Sequence, residues 1–364
     1  MRYDIAIAGA GMAGASLAAA LASHARVILI EAEERPGYHA TGRSAAFWQE
    51  TYGGPAVQPL TTASGPWLER HAMVSPRTAL HLARVGEEAL LAELKEQFSG
   101  SEVRLEEASR EALLRIVPGL RDNWTAGLIE PSCRDIDVAR LHAFYLAEAK
   151  RCGTALLCDA AIGGLARSDG AWTIATRSGE IAADILVNAA GAWADPVAVM
   201  AGAAPIGIVP YRRTVVPLLV EPPAPADMPL VIDAGGSFYF KPEAGGRIWL
   251  SPHDETPSAP CDAAPEEIDV ALAIDRLEKV VDWRIAKRER AWAGLRSFAP
   301  DRAPVYGFDR DVPGFFWFAG QGGFGIQTAP AAAAIGAALL LGESLPAMVS
   351  GIDAVRYAPM RFAR

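Results

Sequence analysis

The chain has 364 residues, 51% of them hydrophobic and 21% charged, which is enough apolar content for one or two large cores and too much for a disordered chain. A net charge of −9 with no basic block argues against nucleic-acid binding as the main task. The four cysteines (Cys133, Cys152, Cys158 and Cys261) form no C-x-x-C pair and have no histidine cluster beside them, so neither a metal site nor a disulfide framework is expected.

In chain order, the first unit is the most informative. Ile5-Ala6-Ile7-Ala8 reads as a strand, Gly9-Ala10-Gly11-Met12-Ala13-Gly14 as a glycine turn, the alanine-rich stretch after it as a helix, and Val27-Ile28-Leu29-Ile30 as a second strand closed by Glu31. This layout binds the ADP half of a dinucleotide. Gly9 permits the tight turn, Gly11 lets backbone approach a pyrophosphate, and Gly14 lets the helix pack close to the sheet. The helix N-terminus offers N–H groups to the phosphates, and Glu31 is placed to accept hydrogen bonds from a ribose. The apolar start is not read as a secretory leader, because Asp4 interrupts it and the glycine turn already uses it.

Residues 36–64, rich in Gly, Thr, Ser and Ala, predict a long irregular connection, and such connections are usually functional. A strand over 78–85, an amphipathic helix over 86–98 and a second helix over 107–116 follow. Asp137 can cap a helix that ends before Gly153. Ala155–Cys158, Trp172–Thr176 and Ile181–Val187 read as strands, and the last runs into Asn188-Ala189-Ala190-Gly191-Ala192-Trp193, where small residues admit a ligand. Residues 206–250 alternate as β-structure around a proline loop at 221–229. A helix over 269–281, a strand at Phe315–Ala319, the turn Gly320-Gln321-Gly322-Gly323-Phe324-Gly325 and a small-residue helix to about Leu341 complete the chain. The apolar run 329–342 is too short to span a bilayer and contains Pro330, so a transmembrane segment is not expected. A cytoplasmic location is expected, with loose association with the inner membrane left open.

The predicted class is α/β: a discontinuous Rossmann-type FAD/NAD(P)-binding domain with an inserted α+β, largely antiparallel substrate domain. The nucleotide domain takes 1–77, 137–204 and 298–364, and the substrate domain 78–136 and 205–297.

Four separated segments resemble the D-amino acid oxidase-like flavoproteins. They are the N-terminal glycine motif with Glu31, His39-Ala40-Thr41-Gly42-Arg43-Ser44-Ala45-Ala46, Val187-Asn188-Ala189-Ala190-Gly191-Ala192-Trp193, and Gly322-Gly323-Phe324-Gly325-Ile326-Gln327. Within that family, Gly37-Tyr38-His39, Ser237-Phe238-Tyr239 and Ala293-Gly294-Leu295-Arg296-Ser297-Phe298 are most similar to the bacterial D-arginine dehydrogenases. The resemblance implies non-covalently bound FAD and oxidation of a D-amino acid to an imino acid, which hydrolyses to a 2-oxo acid and ammonia. Residues expected along the cofactor are Gly9, Gly11, Met12, Ala13, Gly14, Glu31, Ala32, Thr41, Arg43, Ser44, Ala45, Ala190, Gly191, Trp193, Gly322, Gly325 and Ile326.

Amine oxidation by a flavin needs a clamp for the substrate carboxylate, a positioned amine, and positive potential near the reduced flavin. Arg213 and Arg296 are the expected carboxylate forks, with Tyr239 and Tyr52 adding hydroxyls and Tyr52 on a lid-like loop. The Gly323 carbonyl and Gln327 are the candidates for the amine, and a helix beginning near Ile326 for the flavin charge. The D-arginine enzymes carry a Glu beside their Ser-Pro-Arg segment; here Ser75-Pro76-Arg77 is followed by Thr78-Ala79, and Ala79 cannot pair with a guanidinium. Phe47 replaces a family histidine beside Trp48 and Gln49, and His81 shares the Ala79 face. A neutral D-amino acid is therefore expected rather than D-arginine. A 2-hydroxy acid dehydrogenase, an N-methyl amino acid or glycine-type oxidase, and a non-catalytic flavin-binding subunit are the alternatives. The electron acceptor, oxygen or a quinone, stays open.

Overall fold

The computed structural model describes residues 2–362. Its first sheet is built on Arg2–Ala8, which pairs in parallel with Val27–Ile30 on one side and Gly179–Asn188 on the other. Ala155–Leu157 extends the sheet beyond Val27–Ile30. The start of Gly179–Asn188 pairs antiparallel with Ala171–Thr176, and its end pairs in parallel with Phe315–Ala319. These strands are covered on both faces, which is why they read as unbroken apolar runs. Ile5 and Ile7 face a core with Leu17, Phe316, Phe318 and Ile335, while Ala6 and Ala8 face another with Trp172, Phe315 and Trp317.

The helix Met12–Leu21 has no side-chain cap, and its N-cap residue is Gly11 in extended conformation. A Cβ on Gly14 would lie 1.9 Å from the Gly9 carbonyl oxygen, so only glycine lets this helix descend onto the strand end. Ala329–Leu341 packs beside it and ends at Gly342 with φ 67°, a left-handed C-cap.

The second sheet is mostly antiparallel and is organised around the long strand Val209–Glu221, which pairs with Arg247–Ser251, Trp292–Phe298 and Arg284–Arg288. Tyr239–Glu243, Leu230–Asp233, Ala79–Arg84 and Trp124–Glu130 continue it outward, with one parallel pairing between Leu230–Asp233 and Ala79–Arg84. Gln321–Gly322 pairs with the end of Trp292–Phe298, so the C-terminal glycine turn of the first region is stitched to the second sheet. A small sheet of Phe47–Trp48, Val74–Pro76 and Arg134–Ile136 lies beneath the junction.

The α/β class holds. Local differences from expectation have identifiable causes. The connection over 36–64 gives way to a helix at Gln58–Arg70, hidden in the sequence by Pro59, Gly65 and Pro66. Residues 106–108 form a strand, and the helix after them starts at Arg110, where the Ser109 hydroxyl accepts from Ala112 N–H at 3.3 Å. The last helix starts at Ala329, not near Ile326.

Candidate active site

A cavity of about 520 Å³ runs between the two sheets, from the N-terminal glycine turn to a pair of arginines. Its walls at the first end are backbone and small side chains. Gly9 (φ 99°), Gly11, Met12 and Ala13 border it, with Glu31 and Ala32 at the strand end and Ala190, Gly191 and Trp193 opposite. Gly14 sits beneath, against Gly9. Glu31 is already engaged at its rear: Oε2 accepts from Ala10 N–H at 2.9 Å and Oε1 from Glu33 N–H at 3.1 Å. Thr41 Oγ1 accepts from Met12 N–H at 2.9 Å and ties the 40–43 turn to the helix start.

Arg43, Ser44 and Ala45 line the middle of the cavity, and Gly322, Gly325 and Ile326 face them. Arg43 is also a fastener. Its guanidinium donates to the carbonyls of Tyr38 (3.3 Å), Ala263 (2.7 Å) and Ala293 (3.2 Å), and it pairs with Asp262. Cys261 borders the cavity on this side.

At the far end stand Arg213, Arg296 and Gly323. Arg213 is 4% exposed; its Nε donates to the Asp254 carbonyl at 2.8 Å and its Nη2 to Glu255 Oε1 at 3.1 Å. Its Nη1 is buried with no partner, a costly state for a charged donor unless something fills the space. Burial, then the neighbouring Arg296 charge, push the Arg213 guanidinium below its ordinary pKa. Arg296 donates through Nη1 to the Tyr52 hydroxyl and through Nη2 to the Tyr239 hydroxyl at 3.5 Å, and makes no carboxylate pair among the described residues. Asp254 and Glu255 sit directly against Arg213, whereas Arg296 keeps its charge free for a ligand. This end therefore carries two guanidinium groups, one engaged by acids and one held only by hydroxyls.

A second space of about 10 Å³, the room of roughly one water, adjoins the first through Ser44, Ala45, Arg296, Gly323 and Ile326. Ala46, Phe47, Tyr52 and Gln327 complete its wall. The ring centroids of Phe47 lie 5.7 Å from Tyr52 and 5.9 Å from Tyr239. A Cβ on Gly323 would fall 1.9 Å from the Tyr52 hydroxyl oxygen, so the glycine is required by this contact.

Tyr239, Gln49, Ala79 and His81 line neither space. Tyr239 reaches the site through its hydroxyl. Ala79 is fully buried in a cluster with Phe47, Cys133 and Tyr239. Gln49 and His81 turn instead toward Glu130: Gln49 Nε2 donates to Glu130 Oε2 at 3.1 Å, and His81 Nε2 lies 3.5 Å from the same oxygen. Gln327, 2% exposed, spends its amide on Gln49, Tyr52 and Thr61. Two further residues near the site, Glu130 and His253, are not singled out by sequence pattern. His253 stands edge-on to Tyr239 with its Nδ1 2.6 Å from the Gly236 carbonyl oxygen. Burial, then the Arg213 and Arg296 charges, hold its ring down to about 3, so it is neutral at neutral pH. Nothing in the local sequence sets either residue apart from an ordinary strand-end acid or loop histidine.

The profile of the family described as FAD dependent oxidoreductase matches residues 4–339. The chain belongs to that family. Human mitochondrial dimethylglycine dehydrogenase is 35% identical over 127 residues, a stretch covering 34% of this chain and 15% of that protein. The chain thus matches a small part of that relative's length. Glycine oxidase from Geobacillus kaustophilus shares the fold at TM-score 0.86 and 22% identity, over 99% of each chain. L-proline dehydrogenase from P. horikoshii does so at 0.84 and 23%, over 99% of this chain and 98% of that one.

As in its family, FAD is the cofactor of this oxidoreductase, and the cavity fits it. Gly9 and Gly14 have no room for a Cβ, so the helix start lies close against the strand end at the cavity wall, where a helix N-terminus favours phosphate. The cavity is long, is lined mainly by small residues, and ends at cations. Among the described residues no group of His, Cys, Asp and Glu is clustered as for a metal ion, and no helix is long and apolar enough to cross a membrane.

Proposed function

We propose that the protein oxidises the C–N bond of a small neutral amino acid, with glycine and N-alkylglycines the best fit. One observation carries this reading: Arg296, with no paired carboxylate among the described residues, and the unpartnered Nη1 of Arg213 meet at the cavity end, where the adjoining space holds about one water. A carboxylate satisfies both guanidinium groups, and Phe47 and Tyr52 beside Arg296 favour a small substituent. The names of the relatives agree, since glycine, proline and dimethylglycine carry no large free side chain.

In this reading Arg296 and Arg213 grip the carboxylate in two-point fashion, and Tyr52 and Tyr239 hold Arg296 in orientation. Gly323 borders the same space without a side chain and leaves its peptide open to the amine. FAD, held without a covalent link against the glycine turn, would supply the two-electron acceptor for the α-carbon hydride, and the substrate nitrogen would give up a proton. The imine then takes up water and yields a 2-oxo acid and an amine or ammonia.

The second reading is a small neutral D-amino acid, supported by the apolar wall of Ala45, Ala46 and Phe47. A basic D-amino acid such as arginine is disfavoured, because the acid nearest Ala79, Glu130, is buried and saturated with donors. The test is anaerobic bleaching of the flavin absorbance by a panel: glycine, N-methylglycine, N,N-dimethylglycine, L-proline, D-alanine, D-arginine and lactate. Fastest reduction by an N-alkylglycine or glycine is expected. Fastest reduction by D-arginine or lactate overturns the proposal, and no reduction by any of them points to a flavin-binding subunit. Reoxidation by air against a soluble quinone then identifies the acceptor.

A further inference from the structure

The loop that carries Tyr52 is held from below by a carboxylate that the proposed chemistry does not use. Glu130 closes the strand Trp124–Glu130 and is 0% exposed. Its Oε1 accepts from the backbone N–H of Glu50 at 2.7 Å and of Thr51 at 3.3 Å. Its Oε2 accepts from the Thr51 hydroxyl at 2.6 Å and from Gln49 Nε2 at 3.1 Å, with His81 Nε2 3.5 Å away. A buried carboxylate without partners would be prohibitively costly; this one is fully satisfied by three consecutive loop residues and one imidazole. Burial pushes its pKa up, but the hydrogen bond and charge of His81, together with Thr51 and Gln49, outweigh that and bring it below the usual value.

The same loop is held on its other side by Gln327. Its amide donates to the carbonyls of Gln49 at 3.2 Å and Tyr52 at 3.1 Å, and accepts from Gln49 N–H at 3.2 Å. Immediately after Tyr52 come Gly53 and Gly54, both with positive φ (99° and 73°), a pair that provides no stiffness of its own. Rigidity at Tyr52 is supplied by Gln327 on one side and, through residues 49–51, by Glu130 on the other.

We propose that Glu130 is a positioning residue of the active site, fixing the 49–52 loop so that the Tyr52 hydroxyl meets Arg296. The proposal rests on the reading of Arg296 as the carboxylate anchor. Glu130 touches neither cavity; it acts through Tyr52. Preset loop geometry lowers the ordering cost of binding, so the effect falls on substrate affinity more than on the bond-breaking step.

The test is Glu130→Gln in the FAD-loaded enzyme. The amide keeps the size but opposes its own N–H groups to a ring of donors. KM for the best panel substrate is expected to rise about tenfold with kcat within about twofold, since charged hydrogen bonds of this kind contribute about that much in affinity. Amide hydrogen exchange at residues 50–52 is expected to quicken about tenfold or more. In a cycle with Tyr52→Phe, the double variant is expected to lose no more affinity than Tyr52→Phe alone, because the two residues act in series. Additive losses, or unchanged KM and exchange in Glu130→Gln, overturn the proposal. If Glu130→Gln yields no folded holoenzyme, Thr51→Val, which deletes the 2.6 Å donor to Glu130 together with the acceptor of Gln49 Nε2, replaces it in the same cycle. A non-additive loss there upholds the proposal, and an additive one overturns it. If no amino acid reduces the flavin, the substrate reading fails by itself. The exchange comparison then decides the loop: faster exchange at 50–52 upholds the role of Glu130, and unchanged exchange overturns it.

Discussion

The two ends of the cavity are built by opposite means. At the nucleotide end, contact is made by main chain and by residues with little or no side chain: Gly9, Gly11, Ala13, Ala190 and Gly191. At the substrate end, contact is made by long charged or aromatic side chains held at their tips by partners from distant segments, as Arg296 is by Tyr52 and Tyr239. The first kind of surface suits a ligand shared by a whole family, since backbone N–H groups recognise phosphate whatever the rest of the sequence does. The second suits selection of one substrate, since each tip can be changed alone.

If that contrast is right, the same size of insult should do different things at the two ends. The largest effect is expected for Gly14→Val, whose Cβ would lie 1.9 Å from the Gly9 carbonyl oxygen. Purified protein should carry flavin at less than about a hundredth of the wild-type affinity, as a helix driven off its strand end costs several kcal/mol; absorbance near 450 nm after dialysis reads this. Next is Arg296→Met. It should keep the yellow colour and lose about 10²–10³-fold in kcat/KM, the consequence of removing the anchor charge that no described carboxylate pairs with. Flavin loss in this variant would dissolve the distinction between the ends. Gly323→Ala should be intermediate. Its methyl would meet the Tyr52 hydroxyl at 1.9 Å, displace the loop, and cost about 10–100-fold in kcat/KM with flavin retained.

The smallest effect concerns pH. His253 at the substrate end has a folded pKa of about 3, against 6.5 for the free side chain. The unfolded chain therefore binds this proton first. Stability is unaffected above about pH 6.5 and falls as pH drops from there toward 3. The thermal midpoint should decline by a few degrees between pH 7 and 5, and His253→Asn should flatten the slope over that interval. An unchanged slope would show that His253 is not held neutral by its burial beside the arginines.

Legibility in the sequence followed the same division. The glycine turn, its helix and Glu31 lie within one continuous stretch, and each residue type has a single physical reason to be there. The substrate end had to be assembled from residues about 240 apart, as in the Tyr52–Arg296 contact (|i−j| = 244). Residue type and family likeness pointed to both arginines, yet no local pattern shows that one is paired with Asp254 and Glu255 while the other is not. The alternation that puts Ala79 and His81 on one face is correct, but that face is sealed beneath residues 49–51. The helix Gln58–Arg70 was hidden because two prolines and a glycine imitate a loop.

The walls of the cavity come from Ala8 at one extreme of the sequence and Ile326 at the other, and Arg43 draws Tyr38, Ala263 and Ala293 together at its side. No shorter nascent segment contains the enclosure. The enclosure is therefore complete only when residues as far along as Ile326 have folded back against the first strand.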